Sequence, residues 1–182
     1  MDIQKDLIAE FDRECDSTRK LLNAIPEGAD FSWKPHDKSM ELGRLANHVA
    51  DTCGNWAIHT LTTDRLDWTP DMNPTDDDSS TKAGMLAVFD QKVATAKTAL
   101  AAMTPEKWDS NWKMVAGDQT WIDDTKYNVF RTWVLNHMIH HRAQLGVYLR
   151  LLGAPIPGMY GPSADQMPPA EQTATAETVA AS

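Results

Sequence analysis

The sequence contains only two cysteines among its 182 residues, Cys15 and Cys53. A small disulfide-stabilised scaffold needs more, so this scarcity excludes that class of protein. Both cysteines fall in segments with helical periodicity, which favours reduced thiols in a reducing compartment. A disulfide between the two remains an open alternative.

Long apolar runs are also missing. No uninterrupted apolar segment approaches the roughly 20 residues that span a bilayer, so we expect no association with a membrane. The N-terminus, MDIQKDLIAEFD, is amphipathic and acidic, without the basic start and continuous apolar stretch of a signal peptide. We therefore expect a cytoplasmic protein.

Clusters of basic residues are absent as well. The chain has 17 Lys and Arg against 26 Asp and Glu, a formal net charge of −9. Because nucleic-acid binding relies on clustered cations that neutralise phosphates, we expect no nucleic-acid partner. We interpret the acidic run at 76–78 as solvated charge and not as a binding site.

Helical periodicity, in contrast, is abundant. Apolar residues recur at steps of three and four in four segments, at about 3–25, 40–61, 81–103 and 126–152, and no segment alternates convincingly as a strand. The pattern predicts an all-α fold, a four-helix bundle. Ser39 is the expected N-cap of the second helix, and Gly153 the expected C-cap of the fourth.

The length of the chain corresponds to one domain, which we place at residues 1–165. Residues 166–182 are expected to form a disordered tail, because their end is rich in Ala, Thr, Glu and Ser. The connections between helices two and three and between helices three and four are longer than usual bundle loops. Trp108, Trp112 and Trp121 in the later connection could line a pocket, but we favour a role in anchoring the loop to the core.

Two histidines four residues apart, His137 and His141, are the most informative feature of the fourth helix. Residues at this spacing lie one above the other on the same face of a helix. That face is otherwise apolar, with a stripe formed by Phe130, Val134, Leu145, Tyr148 and Leu152. Because buried imidazoles need polar partners, this arrangement indicates either a metal ion or a hydrogen-bonded pair of core histidines.

A metal ion needs at least a third ligand, and the sequence offers His36, His48, His59 and His140. His140 is turned by about 100° from its neighbour on the helix. His48 and His59 would lie about 16 Å apart along the second helix, so at most one of them can join the site. We favour His48, because it borders the apolar stripe in the middle of its helix.

Three segments then show a specific resemblance: FSWKPHDKSMELGRLANH at 31–48, NHMIHHRAQLGVYLR at 136–150 and GAPIPGMYGPS at 153–163. Together they resemble the DinB/YfiT-like superfamily over residues 1 to about 165. The resemblance implies a four-helix bundle in which three histidines hold a divalent metal, one from the second helix and two from an HxxxH turn on the fourth. The pattern transfers to His48, His137 and His141. Characterised relatives include transferases and isomerases that use the thiols mycothiol or bacillithiol.

Three neutral imidazoles suit Zn²⁺, Ni²⁺ or Fe²⁺ equally and leave coordination positions open for water or substrate. A metalloprotease is excluded locally, because Met138 stands where the catalytic Glu of an HExxH motif would be. Arg142 and Gln144 could orient a substrate, or form a salt bridge and an ordinary helix surface.

We therefore expect a metal-dependent enzyme acting on small molecules, with a thiol-dependent S-transferase or isomerase as the leading chemistry. The alternatives are a hydrolase that uses metal-activated water, a metal-containing binding or stress-response module without turnover, and a purely structural bundle. The sequence identifies neither the substrate nor the catalytic residues. It leaves a homodimer through helix faces open.

Overall fold

The computed structural model describes residues 2–69 and 81–167. The acidic run at 76–78 and residues 168–182 of the predicted tail lie outside the described residues. Within them the chain is mainly helical. None of the described helices combines the length and the apolar character that a membrane span requires.

The first and third predicted helices are confirmed with small changes at their ends. Helix α1 covers Ile3–Asn23, and the side chain of Asp2 caps it by accepting a hydrogen bond from the backbone N–H of Lys5 at 3.1 Å. The third predicted helix, Lys82–Ala101, begins after Thr81, whose hydroxyl accepts a hydrogen bond from a first-turn N–H. Such caps satisfy backbone donors that have no partner within the helix.

The second predicted helix is divided into α2, Leu42–Cys53, and α3, Asn55–Thr62, so the prediction of one unbroken helix was wrong. Gly54 lies at the break with backbone angles of φ −96° and ψ −101°. A Cβ atom at this position would come within 2.9 Å of the Cβ of Lys92 on the next helix. The glycine therefore permits both the break and the close approach of the two helices.

The start of α2 also differs from the prediction. Ser39 does not cap this helix, which begins three residues later at Leu42. The backbone N–H groups of Leu42 and Gly43 donate instead to the carbonyl oxygens of Trp33 and Phe31, at 2.8 and 2.9 Å. The preceding loop, and not a side chain, satisfies the first donors of the helix.

A small three-stranded sheet contradicts the expectation of an all-α fold. Strand β1 covers Arg65–Asp67, β2 covers Asn111–Ala116 and β3 covers Gln119–Thr125. Strands β2 and β3 are antiparallel and β1 pairs with β2 in parallel. The turn between β2 and β3 contains Gly117 at φ +57°, a left-handed conformation that glycine adopts without strain.

The sheet forms because its buried side chains build a second apolar cluster. Trp112, Met114 and Ile122 alternate with exposed neighbours and pack with Val129, while Trp56 contacts the cluster from α3. The long connection is therefore a hairpin with a core of its own. The long helix Lys82–Ala101 is α4. A short helix, α5, covers Pro105–Asp109 and precedes the hairpin.

The anchoring role predicted for the loop tryptophans is confirmed for two of the three. Trp108 and Trp112 are 5% and 0% exposed, and their indole N–H groups donate to Gln4 and Thr63. Trp121 is 49% exposed and stacks on another indole of the sheet region.

The fourth predicted helix is continuous but changes its winding. Helix α6, Lys126–Val129, runs into a π-helical segment, Phe130–Asn136, and then into α7, His137–Leu151. Gly153, at φ +73°, follows the end of α7 as predicted, and its N–H donates to a carbonyl of the last turn. Helix α2 packs against both α4 and α7, and α1 packs against α4, around one main apolar core.

Both cysteines lie in this main core as free thiols, as the sequence predicted. The thiol of Cys53 donates to the sulfur of Met138 at 2.9 Å. The hydrogen bond with the neighbouring thiol of Cys53, together with burial, raises the pKa of the Cys15 thiol. Both effects favour a protonated, unreactive Cys15 thiol.

Candidate metal centre

The packing of α2 against α7 brings together the three histidines that the sequence singled out. Nε2 of His137 lies 2.8 Å from Nε2 of His141 and 3.3 Å from Nε2 of His48. One ring nitrogen from each of the three lies within 4.8 Å of the others. His36, His59 and His140 are not part of this group.

The hydrogen bonds of the Nδ1 atoms define how two of the rings are protonated. Nδ1 of His137 lies 3.3 Å from the backbone carbonyl oxygen of Trp133, and Nδ1 of His141 lies 2.8 Å from Oε1 of Gln144. A carbonyl oxygen only accepts hydrogen bonds, so Nδ1 carries the proton in both rings. In a neutral imidazole, Nε2 then carries the lone pair.

The lone pairs of His137 and His141 consequently point toward the same space at a separation of 2.8 Å. Two acceptors cannot satisfy each other, and their partial negative charges repel. A cation between them would turn this repulsion into attraction. The arrangement is that of metal-binding histidines whose outer nitrogens are held by hydrogen bonds to oxygen.

Two of the three nitrogen separations fit the coordination of one ion. Two nitrogens that are each about 2.0 to 2.1 Å from a zinc-like ion lie about 2.9 Å apart at a 90° angle and about 3.4 Å apart at a tetrahedral angle. The observed separations of 2.8 and 3.3 Å match these distances. The pairs His137–His141 and His48–His137 are therefore already spaced for one shared ion, and the remaining nitrogen pair lies within 4.8 Å.

The electrostatic environment keeps the rings neutral. Burial, together with the neighbouring imidazoles, lowers the pKa of His48 to about 3 and the pKa of His137 to about 4. Burial also lowers the pKa of His141. Because a metal ion binds the neutral imidazole, all three rings are in the binding form at pH 7.

Two tryptophans that the sequence analysis did not single out border the site. The ring of Trp56, on α3, and that of Trp133, in the π segment, each meet the His137 ring nearly at right angles, with centroid distances of 5.9 and 6.2 Å. Trp133 stands four residues before His137, a spacing that places both on one helix face. That spacing was the available signal, whereas the position of Trp56 depends on the break at Gly54.

The two residues proposed to orient a substrate have different roles. Gln144 contacts His141, one of the three candidate metal-binding residues, by accepting a hydrogen bond from its Nδ1. Arg142 is buried away from the three rings, where it donates to the carboxylate of Glu14 at 2.6 Å and to the hydroxyl of Tyr160 at 2.6 Å. The salt-bridge interpretation is therefore confirmed for Arg142.

The chain is similar to proteins of one family. The model of the DinB family matches residues 1–174. A DinB-like protein from Bacillus cereus ATCC 10987 has a similar structure, with a TM-score of 0.61 at 20% sequence identity over 82% of this chain and 92% of that protein. A DinB-like protein from Bacillus subtilis has a TM-score of 0.64 at 18% identity over 85% of this chain and 96% of that one. No curated protein matches the chain.

Proposed function

The chain belongs to the DinB family, and on that premise we propose that His48, His137 and His141 bind one divalent metal ion in a metal-dependent enzyme that acts on small molecules. The convergence of Nε2 lone pairs from His137 and His141 carries this proposal. It is supported by the low pKa values of the buried rings and by their spacing. We interpret the four long helical segments as the four-helix bundle that the sequence predicted.

The residues around the site have separate tasks in this proposal. His48, His137 and His141 supply three neutral nitrogens. The carbonyl of Trp133 and the amide of Gln144 keep the Nδ1 protons in place, so that the Nε2 atoms stay free to bind. Three protein ligands leave positions for a further molecule, which separates a catalytic site from a closed structural one.

A bound divalent ion would supply positive charge that stabilises an anionic nucleophile, either a thiolate or a hydroxide. We propose the thiolate as the first chemistry to test, with transfer or isomerisation of an electrophilic small molecule as the reaction. Hydrolysis is the second candidate. It is favoured by the neutral ligand set, since neutral ligands suit activation of water as well.

Metal analysis of protein purified without a histidine tag or a nickel column tests the proposal. The wild type should contain one divalent ion per chain, and the His137→Ala variant should contain none. His59→Ala is the matched control, because His59 lies on α3 outside the cluster and should leave the metal content unchanged. Full metal content in the His137→Ala protein would contradict the proposal.

A further inference from the structure

Four of the seven tryptophans differ in the hydrogen bonds of their indole N–H groups. The indole N–H groups of the buried Trp108 and Trp112 donate to Gln4 and Thr63. Those of Trp56 and Trp133, which border His137, donate to no residue in the described ranges 2–69 and 81–167. The indole N–H groups beside His137 are therefore not engaged by another described residue and can donate to water or to a bound molecule.

The two indoles beside His137 also differ in exposure. Trp56 is partly buried and packs against both apolar clusters, which fixes its ring. Trp133 is 37% exposed and is held at its base by the backbone of the π segment. An indole that is fixed in place but still open to water offers a rigid apolar surface, and binding of a flat apolar group would remove that surface from water.

The charges around the three histidines determine whether the site favours a positively or a negatively charged ligand. Three neutral imidazoles would leave a divalent ion with its full positive charge. Arg44 is the charged side chain whose field reaches His48, and it is also positive. No carboxylate in the described part of the chain forms an ion pair or hydrogen bond with the three rings. An anion is therefore the ligand that this environment favours.

We propose that the site binds small anionic molecules with a flat apolar body, whose negative group is directed to the metal and whose body packs against Trp133 and Trp56. This inference rests on the proposed metal site and specifies its substrate class. Trp133 is the residue that determines selectivity for the apolar body. The free N–H groups of the two indoles provide donors for polar atoms on the same ligand.

Binding of naphthalene-2-carboxylate to the zinc-loaded protein tests the inference by calorimetry. Two comparison probes separate its parts: 2-naphthamide has the same body without the charge, and acetate has the charge without the body. We expect both to bind at least about tenfold more weakly than naphthalene-2-carboxylate. Equal binding of 2-naphthamide would overturn the selection for an anion, and equal binding of acetate would overturn the role of the apolar body.

Substitutions locate the binding surface. Trp133→Ala should weaken binding of naphthalene-2-carboxylate by about tenfold, and Trp133→Leu, which keeps an apolar side chain, should also weaken it. Trp121→Ala is the matched control, since Trp121 is 49% exposed and its ring contact is with Trp68 and not with a histidine. Unchanged affinity in both Trp133 variants, or an equal loss in the Trp121 variant, would overturn the inference.

The zinc content of each protein separates this inference from the proposed function. If the wild type binds no divalent ion, whether zinc, nickel or iron, the proposed function fails. If it binds one zinc ion but not naphthalene-2-carboxylate, the metal site stands and the proposed ligand class is wrong. Zinc content measured in the Trp133 variants shows whether a loss of probe binding is merely a loss of metal.

Discussion

The backbone carbonyl oxygen of Trp133 lies 3.3 Å from Nδ1 of His137, at the point where the π segment passes into α7. Because this oxygen can only accept, it holds the His137 proton on Nδ1 and turns the Nε2 lone pair toward His48 and His141. π-Helical turns are rare and occur frequently at functional sites. Here the π segment supplies the carbonyl oxygen of Trp133, which accepts from the candidate metal-binding residue His137, and also the Trp133 indole beside the His137 ring.

Replacing Gln144 should weaken metal binding. In the Gln144→Leu variant, Nδ1 of His141 loses its acceptor, so the ring loses both its fixed orientation and its preferred tautomer. Loss of such a supporting contact typically lowers metal affinity by about 10- to 100-fold. Competition with a chromophoric chelator measures the change. Gln91→Leu, at an exposed position on α4, is the control and should bind metal like the wild type.

The affinity for a metal ion should persist to lower pH in this site than it would with free imidazoles as ligands. A reference pKa near 6.5 places proton competition between about pH 7 and 5. Burial lowers the pKa of His48 to about 3 and of His137 to about 4, so protons compete with the metal for these rings only at lower pH. Burial also lowers the pKa of His141, so we expect the fall in affinity to lie at lower pH than the range in which free imidazoles titrate. A steep decline centred near pH 6.5 would contradict this environment.

An added thiol should reach the metal directly if the protein is a thiol-dependent enzyme. In cobalt-substituted protein, a low-molecular-weight thiol should produce a new sulfur-to-metal charge-transfer band, and turnover of an electrophile should require both thiol and metal. The His137→Ala variant is the control that lacks the site. If a panel of cellular thiols gives neither the band nor metal-dependent turnover, hydrolysis or binding without turnover becomes the better proposal.

Breaking the buried ion pair between Glu14 and Arg142 should strongly destabilise the fold. The two residues are 6% and 3% exposed, so Arg142→Met leaves a buried carboxylate without its cation. Removing one partner of such a pair costs about 3 to 5 kcal/mol. The loss is measured as the change in free energy of unfolding in urea.

An exposed ion pair provides the comparison for that measurement. Asp90→Asn breaks the ion pair with Arg19, in which the Arg19 side chain is 48% exposed and the Asp90 side chain 46%. The loss in free energy of unfolding should be less than about 1 kcal/mol. The double variant Glu14→Leu/Arg142→Met should be more stable than Arg142→Met alone, because no unpaired charge remains buried. Equal losses for Arg142→Met and Asp90→Asn would contradict the burial of the Glu14 pair.

The amino-acid sequence alone determined the parts of the structure that depend on local spacing. Helices α1 and α4 end within two residues of the predicted limits, because apolar periodicity and the prolines that follow the two helices, Pro26 and Pro105, act over a few residues. The shared face of His137 and His141 follows from their separation by four residues. His48 was favoured from its place on the second helix, and the structure places it beside them.

Tertiary contacts decided the rest. The hairpin was missed because its alternation is short and becomes stable only when Trp112 and Met114 pack on Trp56 and Val129. The break at Gly54 is explained by the approach of Lys92 from a distant helix. Residue spacing could nominate the histidines, but only the folded chain, through the acceptors on Trp133 and Gln144, determines which nitrogens are free to bind. Those hydrogen bonds depend on the exact winding of the last helix, which hydrophobic periodicity does not encode.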